Sequence, residues 1–156
     1  MSAHERWMRL ALEEARLALL EGEVPVGAVL VRGDELIARA RNRRELDADP
    51  TAHAELLCLR QGAAKLGARR LTGCALYVTL EPCPMCAGAL VQSQLGACCF
   101  GARDPQMGCC ESVYALTREK GFSHRLLCVG GMLESECQGI LKAFFDQKRT
   151  GKEAAE

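Results

Sequence analysis

The chain has 156 residues, of which 49% are hydrophobic and 26% charged, the size and composition of one folded domain with a real core. Formal net charge is zero, so bulk positive charge is missing and any nucleic-acid site has to be a local patch. No apolar run is long enough to span a bilayer, and the start, Met1-Ser2-Ala3-His4-Glu5-Arg6, is polar and then amphipathic, unlike a signal peptide. A cytoplasmic protein without membrane contact is expected.

The first element is a helix over His4 to Glu21, with Trp7, Leu10, Ala11, Ala15 and Ala18 at helical spacing and Gly22 as its stop. Val24 to Val31 is a short Val-rich run that reads as a strand. Arg32-Gly33-Asp34 is a turn, and Glu35 to Arg41 is the returning strand of a hairpin. Asn42 to Asp49 is a polar loop. Asp49-Pro50 then opens a helix, Asp as cap and Pro at the first helical position, running from Thr51 to Leu66 with Leu56, Leu57, Ala63 and Ala64 as core candidates. Cys74 to Leu80 is a third strand, Pro82 opens a short helix ending near Ser93, and Gly96 to Gly101 is a fourth strand. Val113 to Glu119 reads as a short helix, Leu126 to Val129 as a fifth strand, and Glu134 to Arg149 as a last helix before a polar tail.

This order predicts a three-layer α/β/α sandwich, and the hairpin makes its five-stranded sheet mixed. Residues 1–150 form one domain, and residues 151–156 are the tail.

Ten cysteines without an export signal argue against a disulfide framework. Cys58, Cys74, Cys98, Cys128 and Cys137 sit among apolar neighbours and read as small buried hydrophobes. Cys109 and Cys110 fall in a loop and are expected as exposed thiols.

Two segments carry metal-type side chains at a helix start: His53-Ala54-Glu55 and Pro82-Cys83-Pro84-Met85-Cys86. Spacing of three puts Cys83 and Cys86 on one helical face, and a helix N-terminus favours thiolates. Thiolate and imidazole ligands suit zinc, and His53 as third ligand leaves a tetrahedral position open, the catalytic arrangement. A structural zinc site needs a fourth ligand. Cys58 lies more than a helical turn past His53, and His124 has no second ligand near it. A redox role for the Cys pair is the less economical alternative beside His53 and Glu55. Glu55 can point into the same pocket without binding metal and move a proton from a zinc-activated water. In isolation, the same Glu would only complement the helix dipole.

The His-x-Glu and Pro-Cys-x-x-Cys pairing resembles the signature of zinc-dependent nucleobase deaminases. In that chemistry the water attacks the ring carbon bearing the amino group, and Glu55 would protonate the adjacent ring nitrogen and then the departing amine. Asp49 to Glu55 and Thr79 to Ala89 further resemble the bacterial tRNA-specific adenosine deaminases, as do Glu23 to Val31, Phe100 to Asp104 and Phe144-Phe145. The resemblance spans nearly the whole chain and implies a cytidine-deaminase-like fold, one Zn2+ per subunit and a homodimer. Its implied reaction converts adenosine to inosine at the wobble position of a tRNA anticodon stem-loop.

By position, the resemblance gives Asn42 to the flipped base, the Ala54 backbone N–H to the pocket, Asp104 to sugars near the target and Phe145 to flanking nucleotides. Phe144 reads as core. Arg41, Arg43 and Arg44, with Lys142, Lys148, Arg149 and Lys152, are the local basic clusters from which phosphate contacts would come. The zinc motif alone leaves open a deaminase of a free base or nucleotide (guanine, cytosine or deoxycytidylate), and a non-enzymatic zinc-stabilised binding module.

Overall fold

The computed structural model describes residues 1–155, and side chains through residue 151. Its elements are α1 (Ala3–Leu20), β1 (Gly27–Arg32), β2 (Glu35–Arg41), α2 (Ala54–Leu66), β3 (Cys74–Leu80), α3 (Pro84–Gln92), β4 (Ala97–Ala102), β5 (Leu127–Val129) and α4 (Glu134–Ala155), with one 3-10 turn at Leu116–Arg118. The strands form one mixed sheet in the order β2-β1-β3-β4-β5. β1 runs antiparallel to β2 and to β3, while β3, β4 and β5 run parallel. No helix among the described residues is long and apolar enough to cross a membrane.

Alternation along the strands divides the core in two. Ala28, Leu30, Leu76, Val78 and Phe100 join Cys58 and Leu59 of α2 and Leu90 of α3. Val29, Val31, Tyr77 and Cys99 join Trp7, Met8, Ala11 and Leu12 of α1 and Cys137 of α4. The sheet is thus covered on both faces, which is why its central strands read as continuous apolar runs. Helix α1 lies close on β1: a Cβ at Gly27 would stand 2.0 Å from the Ala11 carbonyl oxygen, so only glycine fits there.

The differences from the sequence reading have local causes. β1 starts at Gly27 and not Val24, because Val24 to Val26 turns just before the strand and is held by the Asn42 N–H on Val26 O and the Asn42 amide on Val24 O. α2 starts at Ala54 and not Thr51. The Asp49 carboxylate accepts from both the N–H and the hydroxyl of Thr51, closing a turn of its own, so Pro50 is not the first helical residue. The buried face of α2 is Ala54, Glu55, Cys58, Leu59 and Gly62. Leu56, Leu57 and Ala63 are only half-buried and Ala64 is exposed, so the predicted face is rotated.

α3 opens at Pro84 and not Pro82, since a residue before proline is kept extended and Cys83 precedes Pro84. Val113 to Glu119 forms only the 3-10 turn, because the backbone before it is drawn into the loop described below. The expected tail differs as well: α4 continues to Ala155, in a stretch rich in Lys, Glu and Ala with no proline to stop it. Glu156 lies outside the described residues.

Candidate active site

The parallel strands end on one side of the sheet, and the site lies there, beyond the carboxyl ends of β3 and β4. Helices α2 and α3 begin at this place, and their last non-helical residues are His53 and Cys83. Both have extended backbones and neither side chain caps its own helix, which leaves each free to face its counterpart. Cys86 follows one turn into α3.

The three predicted ligands come together, with donor atoms all within 4.8 Å of one another. His53 Nδ1 is 3.7 Å from Cys83 Sγ and 3.5 Å from Cys86 Sγ. Tetrahedral zinc, with Zn–N about 2.0 Å and Zn–S about 2.3 Å, sets N and S about 3.5 Å apart, so spacing and donor chemistry both fit that metal. The candidates for a fourth protein ligand are engaged elsewhere. Cys58 donates to the Ala38 carbonyl and His124 meets the Leu95 carbonyl. Among the described residues the set is these three, which leaves one tetrahedral position open.

The hydrogen bond from Cys86 pushes the Cys83 thiol down to about 4, with His53 adding to the effect, and Cys86 is correspondingly pushed up. His53 is raised chiefly by its contact with Cys83. A bound cation would draw off the protons that remain on the ligands, since zinc takes thiolate and neutral imidazole.

Glu55 is buried beside this cluster, and burial raises its carboxyl to about 6. A group near that value both takes and gives a proton at neutral pH.

A cavity of about 640 Å³ opens over the cluster, and Asn42, His53, Ala54, Glu55, Cys83, Asp104 and Phe145 all line it. Cys86 lies buried behind them. Asn42 is buried, donating from Nδ2 to Val24 O and accepting the Arg44 N–H on Oδ1, each at 3.1 Å. An amide has two donors and two lone pairs, so one of each remains for a ligand. Ala54 is the first residue of α2, where a backbone N–H has no intrahelical acceptor. Asp104 Oδ1 accepts the N–H groups of Gln106 and Met107, which orients its carboxylate at the cavity edge. Phe145 is 55% exposed and stands edge-on to Phe144, which is core as expected.

The basic clusters divide. Arg41 pairs with Glu14 and Glu21, and Arg43 with Glu21 and Asp47. Arg44 lines the cavity and forms no ion pair among the described residues. On α4, Lys142 and Arg149 both pair with Asp146, and Lys148 lies over the Phe144 ring. The Lys152 side chain lies outside the described residues.

Next to the site, two buried carboxylates escaped the sequence reading. Glu23 accepts the N–H groups of Glu45 and Leu46, fixing the loop after Asn42. Glu81 accepts those of Asp104, Cys110, Glu111 and Ser112 and the Ser112 hydroxyl, fixing the loop that carries Asp104 and Met107. Gly108 packs on it, where a Cβ would lie 2.4 Å from the Glu81 carboxyl. Burial alone would raise Glu81, but the hydrogen bonds from Ser112, Glu111 and Asp104 outweigh it and hold the carboxyl below its ordinary value. The only sequence signal for this role was its place beside Pro82-Cys83. Cys109 and Cys110, expected to be exposed, are buried because this loop folds inward onto Glu81.

Comparison with known proteins agrees with the geometry. The MafB19-like deaminase family model matches residues 2–149. The tRNA-specific adenosine deaminase of Bacillus subtilis is 49% identical over 99% of this chain and 96% of its own. A structure from studies of A-to-I editing by tRNA:A34 deaminases superposes with a TM-score of 0.84 at 43% identity, over 86% of this chain and 98% of that one. Guanine deaminase from Bacillus subtilis superposes with a TM-score of 0.62 at 37% identity, over 66% of each chain. With this fold, this ligand set and these full-length relatives, the chain belongs to the tRNA-specific adenosine deaminases, within the MafB19-like deaminase family.

Proposed function

We propose that this protein hydrolyses adenosine to inosine, releasing ammonia, at the wobble position of a tRNA anticodon. The observation that carries this reading is the placement of buried Glu55 beside an open His53–Cys83–Cys86 set, at the floor of a cavity rimmed by exposed Phe145, Met107 and Met85. The relatives named for tRNA adenosine deamination match over nearly their full length.

His53, Cys83 and Cys86 would hold one zinc ion per subunit, and zinc there supplies a water acidic enough to deprotonate near neutral pH. Glu55 takes that proton on its carboxylate and delivers it to purine N1; it then takes the second proton of the water from the oxygen added at C6 and hands it to the amine, which departs as ammonia. The remaining donor and acceptor of Asn42 bond the extruded base, and the Ala54 N–H faces the same space. The free oxygen of Asp104 accepts from a sugar hydroxyl, and Phe145 offers a stacking face to a flanking base. Arg44 is the cation best placed for phosphate. Residues 1–150 act as one catalytic domain, and the same reading carries a homodimer working in the cytoplasm.

Similarity to guanine deaminase favours a second reading, action on a free base. A small base needs a closed pocket, whereas this one has an apolar, exposed rim suited to a longer strand. Incubation with an anticodon stem-loop and, separately, with free guanine and cytosine distinguishes the two. Inosine in the RNA supports the proposal, and turnover of free bases alone rejects it.

A further inference from the structure

On the outer side of the loop that carries Asp104, one arginine joins three parts of the fold. Arg103 is the first residue after β4. Its Nε donates to the carboxylate of Glu111, farther along that loop. Its Nη1 donates to Oε1 of Glu134, the first residue of α4, at 2.9 Å. The Arg103 backbone N–H donates to the other oxygen of Glu134 at 3.3 Å. None of these three residues lines the cavity.

The next backbone N–H, that of Asp104, donates to Glu81 at 3.1 Å. Two successive peptide groups are therefore each held by a carboxylate, Glu134 from outside and Glu81 from within. Fixing two successive peptide planes fixes the φ and ψ of Arg103 between them, and so where Asp104 stands. Glu81 by itself holds only the second plane. Helix α4 is a firm base for the first, because its Cys137 and Phe144 are buried in the core. The same helix carries Phe145, which lines the cavity with Asp104.

We propose that Arg103 is a positioning residue for the RNA: by pinning Glu134 to the start of the Asp104 loop, it sets Asp104 where its carboxylate meets a sugar hydroxyl while Phe145 takes a flanking base. This rests on the deaminase reading. Arg103 itself touches neither substrate nor metal. Two carboxylates outnumber the one guanidinium, so the group carries net negative charge and is unsuited to phosphate. Its effect falls on binding of the strand, since Asp104 serves the sugar and not the ring carbon to which water adds.

The planar fork matters, because Nε and Nη1 reach two carboxylates at once. Lysine offers one ammonium, so Arg103→Lys should restore little of what Arg103→Ala loses. Exposed ion pairs add little to stability, so neither variant should move the urea midpoint appreciably. Arg9→Ala is the control: it removes a similarly exposed pair, Arg9 with Glu136, which joins α1 to the same turn of α4 and not to the loop.

The test uses the zinc-loaded full chain. Stem-loop kinetics and binding across a salt series are paired with amide hydrogen exchange at Gln106 and Met107, whose N–H groups donate to Asp104 Oδ1. Arg103→Ala and Glu134→Ala should each raise KM several-fold, keep kcat and zinc content near wild type, and speed exchange at both amides. Arg103→Ala should leave the salt slope unchanged, and added to Asp104→Ala it should raise KM no further. Arg9→Ala should do none of this. The proposal is overturned if KM and exchange stay as in wild type, if kcat falls in place of KM, or if the KM rise persists on top of Asp104→Ala. It is equally overturned if Arg9→Ala behaves alike, or if the salt slope falls by about 0.7, as for a direct phosphate contact. The kinetic arm rests on the deaminase reading and the exchange arm does not. A wild type without stem-loop turnover therefore fails that reading alone, and unchanged exchange fails the role of Arg103.

Discussion

Glu55 and His53 are two residues apart and perform different work because α2 begins between them. His53 is outside the helix, with its ring turned to the thiols, while Glu55 is inside the first turn and buried. Glu55→Gln keeps the shape and removes the proton acceptor, so turnover should fall by about a hundred- to ten-thousand-fold with zinc content unchanged, read by single-turnover kinetics and metal analysis. A zinc-binding module without catalysis would lose nothing measurable in that variant. His53→Ala should bring bound zinc well below one per chain, and unchanged zinc would remove His53 from the ligand set. At this scale the sequence was informative because ligand chemistry depends on residue type and short spacing. It was silent on Arg44: among the described residues it is the flanking arginine without an ion pair, and that depends on Glu14, Glu21 and Asp47 pairing with Arg41 and Arg43.

At the level of elements, the loop between β4 and β5 is organised by a single buried carboxylate. Glu81→Gln substitutes a neutral amide for an anion that accepts from four backbone N–H groups and a hydroxyl. It should cost about 2 kcal/mol, read as a lower urea midpoint, with a larger loss of hydrogen-exchange protection at residues 104–112 than elsewhere. The folded carboxyl lies below its ordinary value of 4.5, so its contribution is complete above that pH and disappears as pH falls through the lowered folded value. The wild-type loop should therefore loosen in acid below about 4.5, and the Gln variant should show no such step. Element identities were mostly legible, because the strand and helix periodicities are strong. The boundaries next to the site were not. Asp49 closes a turn with Thr51, and Cys83 precedes a proline, and both details shift a helix start by two or three residues. The inward fold of Cys109 and Cys110 was likewise hidden, because it depends on a glutamate far away in sequence.

For the molecule as a whole, the balanced net charge means that RNA affinity must come from few contacts. If Arg44 meets a phosphate, Arg44→Ala should weaken stem-loop binding and lower the slope of log affinity against log salt by about 0.7, the value for one contact on a single strand. An unchanged slope would take Arg44 out of the phosphate contacts. The layered fold was readable from element order alone. The gathering of Asn42, Asp104 and Phe145 around one cavity was reachable only through family resemblance, since nothing in their local sequence sets them apart from a loop asparagine, a turn aspartate and a core phenylalanine. The proposed function has this assembled cavity deaminate one adenosine within RNA by adding water. Its most direct test is reaction of the zinc-loaded chain with an anticodon stem-loop in heavy-oxygen water, followed by nucleoside mass spectrometry. Inosine is expected at the wobble position alone, carrying one oxygen from the solvent, with no product from Glu55→Gln. An intact wobble adenosine beside deaminated free guanine or cytosine would contradict it.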